Sequence, residues 1–176
     1  MALGALDSQA APRLDNAAAR LLPIATTTAA ALFMLLPVRI PGYAALVPAF
    51  TLMAAYHWTI YRPDLLPPLF LFLLGAAQDL LGGAPLGSSS LVLLLARAGV
   101  LKYRRQFVNR RFPFIWAGFT TVTGGATVLF CLSYCFLDAA LPEFRGTLFR
   151  AVLTISLFPV ASFLLGRTQR ALMGAG

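Results

Sequence analysis

The chain has 176 residues, of which 59% are hydrophobic and only 11% charged, with a mean hydropathy of +0.79. A water-soluble globular domain of this size is excluded, because so few ionisable residues cannot cover its surface. In a soluble chain the net charge of +8 would point to nucleic acid, so the placement of the charges has to decide.

In chain order, six apolar stretches are separated by short connections: 21–38, 43–61, 65–81, 86–101, 113–137 and 147–166. They are 16 to 25 residues long, about the length a helix needs to cross roughly 30 Å of hydrocarbon at about 1.5 Å per residue. The fold class implied is an all-α polytopic membrane protein with six transmembrane helices in a single membrane domain, 1–176. A cleaved signal peptide is not expected. Asp15 and Arg20 precede the first stretch, which outruns a signal's apolar core and ends in Pro37-Val38-Arg39.

Assigning the connections to alternate sides places Arg13, Arg20, Arg62, Lys102, Arg104, Arg105, Arg110, Arg111, Arg167 and Arg170 on one face. The other face holds only Arg39, Arg145 and Arg150. The positive-inside rule makes the richer face cytoplasmic, with both termini inside and an even number of crossings. The basic stretch Lys102-Tyr103-Arg104-Arg105-Gln106-Phe107-Val108-Asn109-Arg110-Arg111 reads as a topogenic, headgroup-anchoring loop for anionic lipid. A docking surface for a cytoplasmic protein is its functional alternative; a nucleic-acid role is not expected.

The first stretch carries Ala25-x-x-x-Ala29 beside Thr26 and Ala30, and the fifth carries Gly118, Thr121 and Gly125. Such stripes let backbones approach closely, either inside the bundle or against another membrane protein's helix. In the second stretch, His57 with Tyr56, Trp58 and Tyr61 reads as a half-hydrated aromatic belt at the cytoplasmic interface. Cys131 and Cys135 lie four apart on one helical face, which does not suit a disulfide. No residues have the spacing of a catalytic constellation, a metal site or a cofactor cradle, so neither enzyme activity nor a cofactor is expected.

The connection between the third and fourth stretches is the most specific feature: Gln78-Asp79-Leu80-Leu81-Gly82-Gly83-Ala84-Pro85-Leu86-Gly87. Gly82 and Gly83 can take positive φ, Pro85 suits the start of the next helix, and Ser88 to Ser90 can bond back to helix carbonyls. Asp79 either accepts hydrogen bonds from freed amides of the turn or pairs with a cation. Arg97 is a poor partner, because hairpin geometry offsets it by about 12 Å in depth; Arg39 and Arg150 lie nearer the same face.

This segment, with Tyr61-Arg62-Pro63-Asp64-Leu65-Leu66-Pro67-Pro68 and Leu73-Leu74-Gly75 before it, resembles the central signature of the MreD family of rod shape-determining membrane proteins. The Asp-x-x-x-Gly-x-Pro-x-Gly core of that family corresponds to Asp79, Gly83, Pro85 and Gly87. The resemblance implies a non-enzymatic scaffold of the cell-elongation machinery in the bacterial inner membrane. Its implied partners are MreC, actin-like MreB filaments, and the glycosyltransferase and transpeptidase that extend peptidoglycan. The six-helix layout is also similar to substrate-capturing subunits of energy-coupling factor vitamin transporters, which keeps a small-molecule transport role open. The outer connections are short for a vitamin site, which needs several polar groups converging from that side. A flippase for a diphosphate-linked precursor would want a cationic cavity, for which Arg97 alone is thin support, Arg150 lying near the outer face.

Overall fold

The computed structural model describes residues 7–35, 47–108, 112–137 and 144–173. Among them are six α-helices and no strand: α1 (Asp7–Met34), α2 (Phe50–Tyr61), α3 (Pro68–Gly82), α4 (Ser88–Val108), α5 (Phe112–Leu137) and α6 (Phe144–Met173). A short 3-10 turn, Pro63–Leu65, joins α2 to α3.

The helix count matches the hydropathy reading, whereas several boundaries differ for local reasons. The first helix begins at Asp7 rather than at 21, because the Ala-rich segment ahead of the apolar stretch favours helix without being apolar. It ends at Met34, and 36–46, which hold the expected end of the first crossing and start of the second, lie outside the described residues. The second helix starts at Phe50 rather than 43, its first amide bonding the Pro48 carbonyl at 2.8 Å. It stops at Tyr61 because Pro63 drives Arg62 to φ −141°, ψ 66°, outside the helical region. The third starts at Pro68 rather than 65, with proline at the first helical position. The fourth runs to Val108, past the expected end at 101, so the first part of the expected basic loop is helix. The last begins at Phe144 and continues to Met173.

The segments Pro113–Ser133 and Arg145–Thr168 are long and apolar enough to cross a membrane unaided. With 12 and 15 residues, α2 and α3 are about 18 and 22 Å long, short of the hydrocarbon thickness. The shortness of α2 suits its position. Every residue from Thr51 to Ile60 is buried, with α1, α4 and α6 packed around it. α3 packs mainly on α4, and α5 lies against α4 and α6.

This central placement corrects the reading of an aromatic belt. Tyr56 and Trp58 are fully buried, and only Tyr61 is exposed. The Tyr56 ring meets Phe119 and Phe158 edge-on at 5.1 and 5.5 Å, and those two rings stack at 4.0 Å. Its hydroxyl donates to the Ile115 carbonyl at 2.9 Å, so one side chain ties α2 to both α5 and α6. Trp58 Nε1 donates to Thr26 Oγ1 at 2.9 Å, tying α2 to α1. His57 is 3% exposed rather than half hydrated, with Nδ1 3.3 Å from Ser162 Oγ on α6. Tyr56→Phe removes the bond to Ile115 while keeping the ring contacts. It is expected to lower the stability of the detergent-solubilised protein by about 1 kcal/mol. Thermal unfolding followed by circular dichroism measures this, and an unchanged midpoint would show that the bond contributes nothing.

Candidate functional site

The reversal between α3 and α4 is built around a buried acid. α3 presents Leu71, Gly75 and Asp79, spaced by four, as its buried face. Gly83 ends the helix in the left-handed region at φ 69°, and the Ala84 amide reaches back to the Asp79 carbonyl at 3.2 Å. Gly87 takes φ 92°, a second position that disfavours a side chain. The Asp79 carboxyl, 1% exposed, then accepts from the Gly87 amide at 2.8 Å and from the Ser89 amide at 3.1 Å. These amides stand at the start of α4 and have no partner within that helix. Among the described residues its partners are therefore backbone donors, at a helix N-terminus that favours negative charge. Pro85 is buried, and its carbonyl accepts from the Ser88 hydroxyl at 2.7 Å. Gly82 has open space around it.

Below the turn, α3 and α4 come into backbone contact. A Cβ built on Gly75 would stand 2.5 Å from the Ser90 nitrogen and 2.6 Å from its Cα. One turn nearer the start of α3, the Ser90 hydroxyl donates to the Phe72 carbonyl at 2.9 Å. Hydropathy and motif spacing assign Gly75 and Ser90 no such contact. The available signal is the four-residue spacing of Leu71, Gly75 and Asp79 on one helical face.

At the opposite end, two arginines on one face of α4 hold the connection between α2 and α3. Arg104 Nε donates to the Ile60 carbonyl at 2.9 Å, and Arg97 donates to the carbonyls of Pro63 and Leu66. The Ile60 carbonyl lies in the last turn of α2, where intrahelical amide partners run out, the Leu66 carbonyl precedes Pro67, and the Pro63 carbonyl takes only a long bond of 3.4 Å from the Leu66 amide; the guanidinium groups supply donors to them. Arg97 thus leans toward the side read as cytoplasmic, yet its head binds backbone rather than headgroup. Of the expected basic loop, Lys102 is exposed and Arg104 faces inward on helix, while Arg105 belongs to α4. Arg110 and Arg111 lie outside the described residues.

The small-residue stripes divide by what they touch. Thr26 is used internally, receiving Trp58. Ala25 and Ala29 are exposed on the α1 surface. On α5, Gly118 is half-buried while Thr121 and Gly125 are exposed, and a side chain on Gly125 would meet nothing within 4 Å. The thiols of Cys131 and Cys135 are free.

A cavity of about 490 Å³ opens at the end of the bundle that carries the α3–α4 turn. All six helices line it, with Thr51 and Gln78 on one side and Thr123, Thr127 and Arg150 on the other. The Gln78 amide donates to Thr51 Oγ1 at 3.0 Å, holding α3 to α2 at its wall. The polar groups here come from the helices themselves, so short outer connections do not prevent such a space.

Over residues 16–167 the chain matches a family model described as rod shape-determining protein MreD. No curated protein and no solved structure matches it.

Proposed function

We propose that this chain, which belongs to the MreD family of rod shape-determining proteins, acts as a non-catalytic scaffold of the cell-elongation complex. In this reading it lies in the bacterial inner membrane as a multi-pass protein with both termini inside. It binds MreC and, through or beside it, helps to position MreB and the peptidoglycan glycosyltransferase and transpeptidase. Labelling of a cysteine at position 106 from outside intact cells would reverse the topology.

The observation that carries the scaffold reading is the contrast between glycines. Gly75 uses its missing side chain inside the bundle, where Ser90 touches it, whereas Gly125 faces open space on the outer surface. Small residues at Ala25, Ala29, Thr121 and Gly125 therefore serve no close packing within the described bundle, and they leave shallow faces that another membrane helix can approach. The flat apolar exterior around them, including Leu32, Val128 and Leu132, offers dispersion contact to such a helix.

Ala29→Leu and Gly125→Leu are expected to reduce co-purification of MreC several-fold at matched expression, with the thermal midpoint of the isolated bundle unchanged. Full recovery of MreC with both variants, in cells that stay rod-shaped, would remove these faces from the interface. A vitamin-type transport role would instead be signalled by ATP-binding cassette subunits co-purifying with the chain. Gly118 stands apart as half-buried, with Thr121 Oγ1 donating to its carbonyl at 2.8 Å, so Gly118→Leu is expected to lower bundle stability as well.

A further inference from the structure

We propose that α6 is a hinged helix latched by Trp116, whose outer half moves as a unit and so sets how far the cavity at the α3–α4 end opens. This conformational device stands apart from the scaffold reading. Pro159 lies inside α6. Proline has no amide hydrogen to donate four residues back, so it leaves the Ile155 carbonyl without its helical partner, and its ring crowds that same carbonyl. Such a gap in the ladder is where a long helix bends.

The Ile155 carbonyl is nevertheless bonded. Trp116 Nε1, on α5, donates to it at 2.9 Å. Trp116 is 41% exposed and belongs to Pro113–Ser133, a segment apolar enough to cross a membrane, so hydrocarbon around it offers no donor to replace the indole. A side chain on the outer surface of the bundle thus closes the gap that Pro159 makes.

The two halves of α6 are held differently. From Phe158 onward the helix is fixed to the core: Phe158 stacks on Phe119 at 4.0 Å and meets Tyr56 edge-on at 5.5 Å, and Ser162 Oγ stands 3.3 Å from His57 Nδ1. Ahead of it, Gly146, Thr147, Arg150, Ala151 and Thr154 border the cavity. This half is tied to the start of α2 by the Ala49 amide, which donates to Thr154 Oγ1 at 3.0 Å. One half anchored in the core, the other bordering open space and a bonding gap between them are the parts of a hinge.

Distances between paired nitroxides, measured by pulsed electron resonance on the full chain in lipid nanodiscs with Cys131→Ser and Cys135→Ser, test the latch. Val152→Cys with Leu81→Cys reports the outer half, and Val160→Cys with Leu73→Cys the anchored half; all four positions are exposed. Trp116→Phe is expected to broaden the outer-half distribution at least two-fold and to leave the anchored half as it was. Adding Pro159→Ala is expected to restore the wild-type width, because the alanine amide takes over the Ile155 carbonyl. An outer-half width unchanged by Trp116→Phe, equal broadening of both pairs, or broadening that persists with Pro159→Ala overturns the proposal. If Trp116→Phe alone does not accumulate, recovery of folded protein on adding Pro159→Ala supports the latch, and failure to recover it overturns the proposal.

Discussion

Gly75→Leu is expected to abolish accumulation of the folded protein, and even Gly75→Ala to lower its stability on the order of 2–3 kcal/mol. The first atom of any side chain there falls 2.5 Å from the Ser90 nitrogen and 2.9 Å from the Ser89 carbonyl carbon. Both are backbone atoms, which cannot rotate aside as a flexible side chain does. Relief requires α3 and α4 to separate. Separation strains the Ser90 bond to the Phe72 carbonyl and the Asp79 bonds to the Gly87 and Ser89 amides, so a local clash spreads to the whole reversal. Gly82→Ala is the matched control. Its neighbourhood is empty, and alanine is the better helix former, so this variant is expected to be neutral or more stable by a few tenths to about 1 kcal/mol. Thermal unfolding of the three purified proteins decides the matter. Equal midpoints for Gly75→Ala and wild type would mean that the helices are free to move apart.

Hydropathy makes the helix number legible, and the Gly-Gly-Ala-Pro run makes the sharp reversal after Asp79 legible, because glycine and proline punctuate a chain whatever surrounds it. What hydropathy hides is which apolar helix meets lipid and which meets protein. Both environments select the same side chains, so α2 reads as one crossing among six although it is the buried centre of the bundle. For that reason His57 and Trp58 read as residents of a wet interface. The arginines are hidden differently. In sequence, Arg97 and Arg104 are only positive charges, and their role as donors to the Ile60, Pro63 and Leu66 carbonyls exists only once α4 lies beside the α2–α3 connection. The cavity is likewise out of reach, since Thr51, Gln78, Thr123 and Arg150 are far apart in the chain and meet only at the bundle's end.

Asp79→Ala is expected to cost on the order of 3 kcal/mol, with Asp79→Asn falling roughly midway between it and wild type. The alanine leaves the Gly87 and Ser89 amides without the acceptor they share, in a place where the carboxyl is 1% exposed and water does not readily replace it. Asparagine can put its carbonyl oxygen where Oδ2 accepts from both amides, but it then turns an NH2 toward the Ser89 amide in place of Oδ1, so part of the arrangement survives. Ser90→Ala, which removes the single bond to the Phe72 carbonyl, is expected to lose about 1 kcal/mol and so calibrates the scale. The same variants separate a structural from a binding role for the family's acidic residue. If the turn acts by fixing how α3 and α4 are presented, MreC recovery should fall from wild type through Asp79→Asn to Asp79→Ala, in parallel with the thermal midpoint. Gly83→Leu should then behave like Asp79→Ala, because it forces a branched side chain into the left-handed region at φ 69°. If MreC recovery collapses for Asp79→Asn while its midpoint stays at the wild-type value, the carboxyl itself meets the partner and the turn is an interface rather than a support.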